Sequence, residues 1–143
     1  MHRVLELDLS NEANMIEIST RIQRVWFPNV PVPKIEKIFR ERSARTSTSL
    51  TLVAKEGEKI VGFMSLDLRP GRRLYAGNLY VYPEDRRKGV ANALIGEMFK
   101  KVERFGESRI FAEVSNDSPP WMRVFYERLG FLEVSPGVLL LHV

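Results

Sequence analysis

The residues best suited to chemistry lie in one stretch, Asn78-Leu-Tyr-Val-Tyr-Pro-Glu-Asp-Arg-Arg-Lys-Gly-Val-Ala-Asn-Ala-Leu94. It reads as a strand, a short basic turn and the start of a helix, an arrangement that points several unpaired backbone N–H groups at whatever lies in front of the turn. Gly89 lets the backbone approach a ligand closely, and Ala91 keeps the helix start narrow. Arg86, Arg87 and Lys88 add charge to the positive end of the helix dipole. Together these features make a cradle for a diphosphate. The spacing Arg86-x-x-Gly89-x-Ala91 is not the phosphate loop of ATP and GTP enzymes, because no Gly stands five residues before Gly89 and no Lys-Ser or Lys-Thr follows it. Nor is it the dinucleotide pattern GxGxxG.

The stretch resembles the coenzyme A pyrophosphate loop of the GNAT family of N-acetyltransferases, whose pattern is Arg or Gln, two residues, Gly, one residue, then Gly or Ala. Two further blocks carry the resemblance. Leu79-Tyr-Val-Tyr-Pro83 is similar to the family's fourth strand and its exit, and Phe125-Tyr-Glu-Arg-Leu-Gly-Phe131 to its late YExxGF block, at the expected separation. The resemblance implies that Arg86, Arg87, Lys88, Gly89, Val90, Ala91 and Asn92 hold the pyrophosphate of acetyl-CoA. The pantetheine arm would then run along the backbone of Leu79, Tyr80 and Val81.

Acetyl transfer from a thioester to an amine needs a base for the amine, a donor to the developing oxyanion and an acid for the departing thiolate. Glu113 is the leading base, on the segment Ile110-Phe-Ala-Glu-Val114, where apolar neighbours would tune a carboxylate that faces inward. A solvent-facing Glu is the alternative. The triplet Ala112-Glu113-Val114 resembles the Leu-Glu-Val of the ribosomal-protein N-terminal acetyltransferase branch, whose Glu is the proposed base. Gly77 and Asn78, poor residues for a sheet interior, mark either a strand that splays and frees N–H groups for an oxyanion or an ordinary bulge. By resemblance the thiolate's acid is Tyr126. The family's pantetheine-binding Asn, seven residues before that Tyr, is Pro119 here, and Asn116 or Ser118 is expected to replace it. Trp121 either lines the cofactor channel or packs beneath its helix. The acceptor wall implied by the family comprises Phe27 to Val32 and Ser135 to Val138.

The elements that must position these groups follow from periodicity. His2 to Leu9 reads as a first strand, with Ser10 as a helix cap. Met15, Ile18, Ile22, Val25 and Trp26 form the apolar face of a first helix, and Pro28 to Pro33 ends it. Ile35, Ile38 and Phe39 mark the buried side of a second helix, which Pro33 can start. Leu50 to Lys55 and Lys59 to Leu68 read as a hairpin about Glu56-Gly-Glu58, and Leu74 to Val81 as a third consecutive antiparallel strand. Val90, Leu94, Met98 and Val102 make a helix that Gly106 terminates. Ser108 to Val114 is a strand, Met122 to Leu129 a last helix ended by Gly130, and Phe131 to Val134 with Val138 to His142 a closing hairpin or a pair of edge strands. The order is β α α β β β α β α β β. This is an α+β (mixed α/β) arrangement, with a central, mostly antiparallel twisted sheet of six to seven strands flanked by four helices, as in the GNAT fold.

With 143 residues, 44% of them hydrophobic, the chain suits one domain, residues 1–143, and is too short for two. It has no run of eighteen apolar residues and carries charges where a signal peptide would be apolar, so a soluble, cytoplasmic protein is expected. The absence of cysteine excludes disulfides and a cysteine nucleophile, and His2 and His142 alone suggest no metal site. The excess of 22 Lys and Arg over 18 Asp and Glu is located by Arg69, Arg72, Arg73, Arg86, Arg87 and Lys88, expected to cluster around the phosphate loop. The expected activity is transfer of acetyl from acetyl-CoA to a primary amine, on a protein amino terminus or a small molecule, by direct attack in a ternary complex. The rival is a non-catalytic acyl-CoA-binding or basic nucleic-acid-interacting module using Arg40, Arg42, Arg45 and the loop arginines. A homodimer is common in the family, and nothing in the sequence requires one.

Overall fold

The structure, a computed structural model, describes residues 2–6, 12–26, 29–43, 48–116, 118 and 120–143. The expected features at Leu7 to Ser10, Phe27, Pro28, Arg45, Asp117 and Pro119 lie outside the described residues, as do the side chains of Met15, Ile22, Val25, Trp26, Phe39, Arg42 and Asn78.

The chain runs β1 (Arg3–Glu6), α1 (Glu12–Trp26), α2 (Val32–Ser43), β2 (Ser49–Glu56), β3 (Lys59–Arg69) and β4 (Arg73–Val81). It continues through α3 (Val90–Val102), β5 (Arg109–Glu113), α4 (Pro120–Arg128), β6 (Leu132–Ser135) and β7 (Val138–His142). This is the expected order. The strands form one seven-stranded sheet, β1-β2-β3-β4-β5-β7-β6, antiparallel except where β5 lies parallel to β4. The parallel pair is short, from Leu74↔Ile110 to Ala76↔Ala112.

Alternation along each strand sends side chains to opposite faces. On one face α3 and α4 cover the larger core, in which Val90, Leu94, Met98 and Val102 of α3 pack over Leu52, Leu66 and Leu74, and Met122 and Tyr126 of α4 join them. Burying one such leucine is worth about 2 kcal/mol. Gly62 permits the close approach of α3, because a Cβ there would sit 2.9 Å from Val90 Cγ1 and 3.0 Å from the Tyr80 carbonyl oxygen. On the other face Ile18 and Ile35 of α1 and α2 cover Val53, Ile60, Phe63 and Tyr82. That cover stops at β4, and the half of this face formed by β5, β7 and β6 carries none of that second core. Ile38, expected on the buried side of α2, is 49% exposed, and among the described residues of α2 it is Ile35 that lies in the core. No described helix is long and apolar enough to cross a membrane.

Two irregularities in β4 position the site. Phe63 pairs with Tyr80 and Ser65 with Gly77, so two steps on β3 match three on β4, and an extra residue is accommodated at Asn78 and Leu79. Pairing with β5 ends at Ala76, while the chain just beyond β5 turns away: the Val114 N–H donates to Gly137 O at 2.8 Å. The strands therefore splay at Gly77, the alternative under which backbone groups are freed, and a bulge is present as well.

Candidate active site

The basic turn is built by its backbone. After a 3-10 turn at Pro83–Asp85, Arg87 and Gly89 both adopt left-handed conformations, with φ of 63° and 79°. For Arg87 this costs on the order of 1–2 kcal/mol, and for Gly89 almost nothing. Gly89 is the N-cap of α3 and has no side-chain cap bond; Ala93 N–H is the first to bond back, to Gly89 O at 3.0 Å. The N–H groups of Val90, Ala91 and Asn92 are thus the helix's unpaired donors. A Cβ on Gly89 would meet nothing within 4 Å, so the space in front of the turn is open.

The charges of the turn divide. Arg86 Nε donates to Val81 O at 2.9 Å, and its Cζ lies 5.5 Å from the centre of the Tyr80 ring, so it latches the turn to the end of β4. Lys88 Nζ lies 3.8 Å from Asp85 Oδ1 and Lys59 Nζ 3.6 Å from Asp85 Oδ2. Asp85 itself is only 4% exposed, and its Oδ2 has no hydrogen-bond donor. Arg87 has no acidic partner among the described residues and borders a cavity of about 590 Å³. Val81, Gly89, Val90, Ala91 and Asn92 line one side of that cavity. Trp121, Phe125, Arg128 and Leu129 of α4 and its end line the other. Trp121, 39% exposed, borders the channel rather than packing beneath its helix.

Arg69, Arg72 and Arg73 do not join this cluster. They sit at the far end of β4, eight residue steps or about 26 Å from Val81. Arg72 pairs there with Glu107 at 2.8 Å.

A second cavity, of about 250 Å³, occupies the splay between β4 and β5. Ala76, Leu79, Met122 and Tyr126 reach it from the α3/α4 face, and Arg69, Tyr75, Gly77 and Glu113 from the opposite face. Glu113 does not have the apolar surroundings expected of an inward-facing base. Its side chain is 53% exposed at the mouth and forms an ion pair with Arg69. Arg69 in turn lies flat over the Tyr75 ring, Cζ 3.9 Å from its centre. Tyr126 has the opposite environment. It is 2% exposed, enclosed by the rings of Phe125 and Phe131 at 5.7 and 5.1 Å, and burial pushes its phenol up to about 12.

Of the two replacements weighed for the pantetheine-binding Asn, Ser118 lines the second cavity, its Oγ accepting from Ser115 N–H at 3.0 Å. Asn116 is exposed and lines neither cavity, and neither do the side chains of Tyr80 and Lys88. The sequence reading missed Asp85, Arg128 and the part played by Arg69. The run Asp85 to Lys88 carried the signal for the first, since a carboxylate among three cations is a natural ion-pair hub. Nothing local signalled Arg69, which stands 44 residues from Glu113. Among the described residues no group of three or more potential ligands could hold a metal ion.

The structure therefore presents an anion cradle at the start of α3 and, beside α4, a gap through the sheet with a carboxylate at one mouth and a buried phenol at the other.

Comparison with known proteins gives a family and a fold. The model of the acetyltransferase (GNAT) family matches residues 14–131. Among solved structures, the ribosomal-protein-S18-alanine N-acetyltransferase of Escherichia coli superposes with a TM-score of 0.76 at 20% identity, covering 100% of this chain and 94% of that one. An acetyltransferase of the GNAT family from Staphylococcus aureus Mu50 gives 0.76 at 16% identity, with 99% of each chain covered. The PaiA N-acetyltransferase of Thermoplasma acidophilum, in complex with coenzyme A, gives 0.68 at 17%, covering 100% and 99%.

Proposed function

The chain belongs to the GNAT acetyltransferase family, an acetyl-CoA-dependent family, and on that premise we propose that it transfers acetyl to a primary amine by direct attack within a ternary complex. The observation that carries the reading is the cavity between β4 and β5, which joins Glu113 on one face of the sheet to Tyr126 on the other.

The residues present fit the cosubstrate. Three uncapped N–H groups at the start of α3, the Cβ-free approach at Gly89 and the unpaired Arg87 suit a diphosphate. Leu79, Tyr80 and Val81, on the part of β4 that β5 leaves unpaired, offer backbone groups to an extended amide chain, with Ser118 facing them across the gap. Bound there, acetyl-CoA supplies an electrophilic thioester carbonyl and a stable leaving group.

Glu113 takes the proton of the incoming ammonium, directly or through one water, which its exposed position at the mouth allows. Arg69 fixes the direction of that carboxylate. Freed N–H groups at the splay donate to the acyl oxygen. Tyr126 stays protonated at every working pH. Full proton transfer from a phenol raised to about 12 to a thiolate with an ordinary pKa of ~8.5 is uphill by about 5 kcal/mol. Tyr126 therefore serves as a hydrogen-bond donor to the departing sulfur rather than as its final acid.

The test is free-thiol release from acetyl-CoA over a panel of amines and amino-terminal peptides. Glu113→Gln should lower kcat/KM by about 10²-fold and Tyr126→Phe by about 10-fold, with acetyl-CoA affinity retained in both. Acetyl-CoA binding without thiol release on any amine would refute the transfer, and an undiminished Glu113→Gln would remove the base.

A further inference from the structure

Among the described residues no helix of the second core reaches the half of the sheet next to Glu113, and that half carries an ordered set of guanidinium groups. Arg69 pairs across the ladder with Arg73, and Arg109 lies one step before Ile110, the partner of Leu74 beside Arg73. The three arginines therefore form one row across β3, β4 and β5. The next row holds Asp67 of β3, which accepts from the Ser49 and Ser65 hydroxyls, and two aromatic residues, Tyr75 stacked on Phe111 at 5.3 Å. The row after that contains Gly77 and Glu113. Arg69 lies over Tyr75, and the Cζ atoms of Arg73 and Arg109 lie 5.6 and 5.9 Å from the centre of the Phe111 ring, so the rings hold all three guanidinium groups.

A guanidinium held on an aromatic face keeps its N–H edge free and loses little further freedom when it binds a carboxylate. Arg73 and Arg109 are exposed and have no carboxylate in ion-pair range among the described residues. Arg69 has Glu113. An acceptor rich in amines would bring like charge against this row, whereas an acceptor carrying carboxylates would meet prepared forks. The spacing sets the kind of acceptor. From Glu113 to Arg109 is four residues along β5, about 13 Å, which an extended peptide covers in about four residues.

Resting on the amine-acetylation reading above, we infer that the acceptor is the amino terminus of an acidic peptide segment. It lies extended past Tyr75 and over the guanidinium groups that cover Phe111, with carboxylates near its third and fourth residues engaged by Arg73 and Arg109.

The test uses hexapeptides identical except at the third and fourth positions, which are both Glu, both Gln or both Lys. Wild type should show kcat/KM about 10- to 100-fold higher for the Glu peptide than for the Gln peptide, with the Lys peptide poorest. The preference should shrink as salt is raised. In the double variant Arg73→Gln, Arg109→Gln the Glu-to-Gln ratio should fall to about 3 or less, a change that general loss of fold would not produce because both peptides would suffer alike. Equal rates for Glu and Gln peptides, a preference for Lys, or a ratio that survives in the double variant would overturn the inference. Binding of the same peptides, fluorescently labelled, is read by anisotropy in the presence of coenzyme A. If no peptide is acetylated but the Glu peptide binds selectively and the double variant loses it, the surface stands and the transfer reading fails. If neither acetylation nor selective binding is seen, both fail.

Discussion

Removing a single oxygen, in Tyr126→Phe, tests the most buried titratable group of the site. The phenol is pushed from its ordinary 10 up to about 12 by loss of water. The folded chain therefore keeps a proton between pH 10 and 12 that the unfolded chain releases, so this group's contribution to stability is complete below pH 10 and is lost as pH rises through 12. Two pH units at 1.36 kcal/mol each amount to about 3 kcal/mol. Phe has no proton to lose, and every other titrating group is common to both proteins. The difference in unfolding free energy between wild type and variant should thus shift toward the variant by about 1 kcal/mol from pH 10 to 11, and by about 2 kcal/mol from pH 10 to 12. Urea titrations at pH 8, 9, 10 and 11 give that difference at each pH. A difference that stays constant through pH 11 would mean the phenol is hydrated and would refute the burial argument. The same displacement excludes Tyr126 as the source of any alkaline limb near pH 10 in the kcat profile. Such a limb, present in wild type and missing in the variant, would contradict the role given to it.

Two glycines make further predictions. Gly89→Ala forces a Cβ into a left-handed position, which should cost about 1–2 kcal/mol in urea unfolding, while calorimetry should find coenzyme A bound at least ~10-fold more weakly as the cradle narrows; unchanged affinity would separate this turn from the diphosphate. Gly62→Ala puts a methyl 2.9 Å from Val90 Cγ1, so the start of α3 must shift, at about 1–3 kcal/mol of stability; an unchanged urea midpoint would show that α3 is not seated as described.

What could be read in the sequence was local. The turn from β4 into α3 declares itself because its glycine, its cations and the 3.6-residue stripe of Val90, Leu94 and Met98 all lie within one short run. The element order and the final hairpin were legible for the same reason. What escaped depends on register. That Arg69 meets Glu113 follows only from β4 pairing with β3 on one edge and with β5 on the other. The same pairing carries Arg69 and Arg73 away from the phosphate turn, though proximity in sequence suggested that they belonged to it. Ile38 has the apolar period of a buried residue, yet the fold leaves it exposed while Ile35, one turn before it, enters the core. The choice between Asn116 and Ser118 turned on the path of a loop, which no periodicity encodes.

The extra residue in β4 has a consequence for how this chain can vary. Because the strand takes three steps from Gly77 to Tyr80 where β3 takes two, Leu79 and Val81 return to the helix side and Tyr80 to the other. Were one residue deleted there, both strands would take two steps between the Ser65–Gly77 and Phe63–Tyr80 pairs, so the side chains would keep their faces, but the bulge that loosens β4 beside Gly77 would be lost. A change in length there would therefore be felt at the site more than in the core. This segment behaves as a counted spacer, in which the number of residues is under tighter constraint than their kind.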